Sequence, residues 1–130
     1  MTIFTRMVSA LKLYDIRTIR GGNYGRRMRV MKLAIPVIEV AIKRDIAAGA
    51  YPALQKAQLR LEAKMDAMKA LESIVPAYRN AGGEINDFQH DLLRLMDKNN
   101  VGTMKERAYW GRMATDAWRS VEAREKDYGD

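Results

Sequence analysis

The one histidine, His90, stands among acids: Asp87 is three residues before it, Asp91 adjoins it and Glu84 lies upstream, while Arg94 follows four residues on. On a helix this spacing gathers His90, Asp87 and Arg94 on one side, where a small divalent ion or a proton-transfer pair would fit. Strong metal patterns repeat their ligands, as paired histidines or repeated carboxylates, and this one does not. The group also lies opposite an apolar stripe, the position of an ordinary wet helix face. The expectation is no catalytic residue, no metal site and no cofactor.

A second constellation is basic. Arg17, Arg20, Arg26, Arg27 and Arg29 surround Tyr24 in a stretch punctuated by Gly21, Gly22 and Gly25. Arginines form paired bonds to phosphates and a tyrosine can stack on a base. These six residues are the candidate nucleic-acid contact, for DNA or RNA. One Arg-Gly-Gly segment is not a repeat tract, and a solvated turn between helices accounts for it equally well. The glycines predict a linker near 20–29.

Other chemistry finds no support. The chain has no cysteine, which excludes disulfides, thiolate metal sites and cysteine nucleophiles. The glycines of 21–25 lack the strand-to-helix context of a phosphate loop, and Ser9, Ser73 and Ser120 fall within predicted helices. Glu39 is a lone carboxylate in an apolar run, with Lys43 placed to pair with it one helical turn on. Trp110, flanked by arginines, lies on a periodic apolar face and reads as core.

The elements that would position these residues are helical. Leu54, Ala57, Leu61, Met65, Met68, Leu71 and Val75 recur at steps of three or four through Pro52–Val75, the mark of a helix with one buried stripe. Pro76 interrupts or ends it. Before it, 28–48 is densely apolar, with Ile35, Ile38, Ile42 and Ile46 on one face; Pro36 either opens a helix near Ala34 or kinks a longer one. Gly49 and Pro52 make a tight turn, so the helices on either side should run antiparallel. Asn86 with Gln89, and Thr103 with Glu106, have capping-box spacing. The helices they open carry Phe88, Leu92, Leu95 and Met96, then Trp110, Met113, Ala114, Ala117 and Val121. An amphipathic helix is expected over 3–18 with Phe4, Met7 and Leu11 on its apolar side, and fraying over 127–130.

The fold class expected is all-α: one domain over 1–130, a compact four- or five-helix bundle or helical-hairpin assembly. The 130 residues carry a net charge of +7. Residues 1–60 hold 12 basic and 3 acidic side chains, while 61–130 hold 11 and 13. That asymmetry makes one basic pole, attractive to nucleic acid, an anionic membrane or an acidic protein. Charged residues interrupt every long apolar window, so neither a membrane span nor a secretory signal is expected, and the location expected is the cytoplasm or a macromolecular particle.

The functional expectation is a non-enzymatic assembly or interaction factor, self-associating or docking into a larger protein complex. Leu54, Leu61, Met65, Met68 and Leu71 are its candidate protein contacts. The alternatives are a nucleic-acid-binding protein using 17–29 and a peripheral membrane protein anchored by the N-terminal helix.

Overall fold

The computed structural model describes residues 23–128. The expected helix over 3–18, Arg17 and Arg20 lie outside the described residues. Within them the chain is all helical, as its periodicities predict. It forms α1 (Asn23–Lys32), α2 (Ile35–Ala47), a 3-10 turn (Ala48–Ala50), α3 (Ala53–Asn80), α4 (Ile85–Lys98) and α5 (Met104–Tyr128).

The expected basic linker is corrected by α1, which is helical from Asn23 onward. A glycine inside a helix costs about 1 kcal/mol relative to alanine. Met28, Val30 and Met31 are buried, and burying one such side chain contributes about 1.5–3 kcal/mol. Packing therefore outweighs the local preference at Gly25.

A turn at Leu33 and Ala34 separates α1 from α2, with the amides of both residues donating back to carbonyls of α1. Pro36 falls in the first turn of α2, where an amide hydrogen would have no intrahelical acceptor. Ile35, Ile38 and Ile42 are buried as expected, but Ile46 is 67% exposed. The 3-10 turn leads through Tyr51 to Pro52, the N-cap of α3. Arg44 meets Asp66 at 2.7 Å and Arg60 meets Asp45 at 3.3 Å, which fits a chain that doubles back on itself.

With 28 residues, α3 is about 42 Å long at 1.5 Å per residue. It does not stop at Pro76, which sits exposed within the helix. Val75 and Tyr78 on either side are fully buried, and that anchorage carries the helix on to Asn80. It ends in a turn where Gly82 has φ 91°, a conformation that glycine adopts without steric cost.

Glu84, rather than Asn86, begins α4. The Glu84 amide donates to the Asp87 carboxylate at 3.0 Å, closing a capping box two residues earlier than expected. Asn100 (φ 54°) and Gly102 (φ 75°) form the next turn. Thr103 and Glu106 then cap α5 as their spacing predicts, with amide-to-side-chain bonds of 2.8 and 3.2 Å. That helix runs through Asp127 to Tyr128, so the fraying expected at 127–130 does not include those two residues.

The core lies where α5 packs on both α3 and α4, with α2 laid against α3 and α1 against α3 and α4. Tyr78, Phe88 and Trp118 form an aromatic cluster with ring centroids 5.0–6.1 Å apart. Phe88, Leu92, Leu95 and Met96 of α4 are all buried, as are Trp110, Ala114, Ala117, Trp118 and Val121 of α5.

Candidate functional site

The organising helix α3 has two apolar faces. Ala63, Ala67, Ala70 and Ile74 are buried at steps of four, three and four. Leu54, Leu61 and Met65 lie on the other side, 76%, 56% and 48% exposed. Leu54 and Ala63, Leu61 and Ala70, and Met65 and Ile74 are each nine residues apart, about two and a half turns at 3.6 residues per turn. Each pair therefore points in opposite directions. The stripe expected to be buried faces water along its first half, and a small-residue stripe holds the helix to the core.

The five candidate protein contacts consequently divide. Leu54, Leu61 and Met65 are exposed, Met68 is half-buried and Leu71 is fully buried in the chain's own core. Leu71 is a core residue, which corrects its place among surface contacts. The helices packed most extensively along α3 are α2 and α5, and they cover its alanine side rather than the side that carries Leu54, Leu61 and Met65. Residues 53–62 of α3 include no buried side chain. Ile46 and Tyr51, in the segment that leads into this half, are likewise exposed, at 67% and 47%.

The basic cluster is also divided. Arg27 turns inward: its Nε donates to Asp91 Oδ2 at 3.3 Å, and its guanidinium lies 3.9 Å from Asp87. Asp91 is 4% exposed and also accepts the Tyr78 hydroxyl at 2.5 Å. Burial, together with the hydrogen bond and charge of Asp91, pushes the Tyr78 phenol far above its ordinary range. This network ties α1, α3 and α4 together, and Arg27 is thereby withdrawn from the proposed phosphate contact. Tyr24 lies beside Arg27 and Arg94, whose guanidinium carbons are 5.7 and 5.6 Å from its ring centroid, and its hydroxyl accepts from Arg94 at 2.8 Å. Arg26 is half-buried, its Nε without a hydrogen-bond partner among the described residues, and Arg29 is exposed.

The His90 group separates in the same way. Glu84 and Asp87 cap α4, Asp91 enters the core and His90 faces solvent. Among the described residues no group of three or more histidine, cysteine or acidic side chains could hold a metal. No helix among them is long and apolar enough to cross a membrane. Sequence reasoning missed the role of Asp91; its one signal is a carboxylate next to Leu92, on the edge of the α4 apolar stripe. Compared with protein-family models, curated proteins and solved structures, the chain matches none.

Proposed function

We propose that this protein is a non-enzymatic assembly factor that self-associates through the exposed face of α3. One observation carries the reading: Leu54, Leu61 and Met65 form a solvent-facing stripe on the side of α3 opposite its buried alanines. Single exposed apolar residues are commonplace, but aligned large ones mark contact surfaces. Glu62, Asp66, Lys64 and Lys69 border the stripe with both signs of charge, so a second copy can meet it without facing charge of one sign only. Pairing would remove the apolar side chains from water, the main driving force of association. The net charge of +7 opposes approach of two copies, and salt weakens that repulsion.

Sedimentation or light scattering of the full chain, over a range of protein and salt concentrations, tests this reading. Association should strengthen with salt and be lost in the double variant Leu61→Lys, Met65→Lys, while helical content and thermal unfolding of the protomer stay the same. A wild-type chain that remains monomeric at high protein and salt concentration overturns self-association. Recovery of the stripe in complex with a different protein would then mark it as a heterologous contact.

A further inference from the structure

A cleft of about 490 Å³ opens between α2, α3 and α5. Its floor is apolar, made by Ala41, Ile42, Ala63 and Trp110, and Lys64 and Lys105 stand among its lining residues. The size falls within the range of small-molecule sites, about 300–1,000 Å³, and the mixture of apolar wall and few polar groups is the one such sites use.

The charges in the cleft are unequally committed. Asp45 is paired with Arg60 at 3.3 Å, and Glu106 accepts the Thr103 amide at the start of α5. Lys64 and Lys105 are exposed and have no ion-pair partner among the described residues. Asp45 is thus neutralised by Arg60, and Glu106 keeps its charge but is turned to the Thr103 amide, so the two open lysines outweigh it beside an aromatic and aliphatic floor. A ligand suited to this surface has an anionic head and an apolar body.

We infer that the cleft between α2, α3 and α5 binds a small organic anion with an apolar body, of the medium-chain carboxylate class. Its carboxylate is held by Lys64 and Lys105 and its chain lies on Ile42, Ala63 and Trp110. Leu61 and Lys64 line the cleft and also adjoin the exposed stripe, whereas Leu54 belongs to the stripe alone.

Titration of the full chain with decanoate below its micelle concentration, followed at the Trp110 indole resonance, tests the assignment. Decanoate shifts that resonance in a saturable way. Acetate, which lacks the chain, and decyltrimethylammonium, which reverses the charge, leave it in place. The double variant Lys64→Glu, Lys105→Glu changes two exposed residues and weakens decanoate binding about tenfold or more. Leu54→Lys leaves binding unchanged. The assignment fails if decyltrimethylammonium competes equally with decanoate, if the double lysine variant binds as wild type does, or if Leu54→Lys removes the response. Wild-type decanoate binding by a chain that never self-associates supports the site and counts only against the assembly reading.

Discussion

The Tyr78 hydroxyl donates to the Asp91 carboxylate at 2.5 Å inside the core, joining α3 to α4. Arg27 from α1 donates to the same oxygen at 3.3 Å. Three helices thus converge on one buried carboxylate, which has lost its water and depends on these partners.

Removing either end of this contact should have unequal effects. Tyr78→Phe deletes one donor and leaves Arg27 opposite Asp91, at a cost of about 1.5–3 kcal/mol. Asp91→Ala strands both the phenol and the largely buried guanidinium, and should cost about 3–5 kcal/mol. Urea denaturation of the two variants checks the order; an Asp91→Ala protein no less stable than Tyr78→Phe contradicts it.

The raised Tyr78 pKa predicts alkaline destabilisation. The folded state holds the phenol neutral, whereas the unfolded chain releases its proton near the ordinary value of 10.0. The contribution is therefore complete below pH 10 and declines as pH rises towards the higher folded value, because the unfolded state then binds fewer protons. Wild type should lose stability more steeply than Tyr78→Phe above pH 10. Parallel profiles in denaturant melts would refute the assignment.

At the acid end the relevant pair is Arg79 with Glu125, which meet through two bonds of 2.8 and 2.5 Å. The hydrogen bond from Arg79 lowers the Glu125 pKa. Its contribution is present above the unfolded carboxylate value and disappears as pH falls through the lower folded one. Both groups are open to water, so the effect is small. Glu125→Gln should slightly flatten the acid limb of the stability profile and leave the alkaline limb unchanged.

Gly83 lies against the Tyr78 ring so closely that an added methyl would overlap its Cδ1, Cε1 and Cζ atoms. That ring is fully buried and held by Asp91, so it has little room to retreat. Gly83→Ala should destabilise the protein by about 1–3 kcal/mol through overpacking. Gly25→Ala offers the contrast: nothing lies within 4 Å of the added methyl, and the helix propensity of α1 should rise. Thermal melts of both variants give the comparison.

The exposed stripe predicts a separation between folding and association. Leu54, 76% exposed, should tolerate Leu54→Lys with a change in protomer stability within about 0.5 kcal/mol. The same change at Ala70, which is fully buried, should unfold the protein. Denaturation measured at a concentration where wild type is monomeric separates the two effects.

Helix positions were largely legible before any tertiary contact was known. The Thr103–Glu106 box, the Gly49–Pro52 turn and the repeats of Phe88, Leu92, Leu95 and Met96 are local features, and local sterics and hydrogen bonding act on them directly. Glu84 displaced Asn86 as the start of α4, where the Asp87 carboxylate reaches back to accept the Glu84 amide. The candidate sites were less legible. Arginine count marked Arg27 as a phosphate contact, whereas its surroundings hold it against Asp91.

The chain's own pattern determined that it is helical, where most of its turns fall and that α3 carries an apolar period. It did not determine which side of α3 is covered. Leu54, Leu61 and Met65 repeat as regularly as Ala63, Ala67 and Ala70, and a helical period alone carries no preference between two such faces. Only the tertiary structure decided. The alanines lie on the buried side of α3, where their small size lets neighbouring helices approach closely, and the larger side chains were left outside on the opposite side.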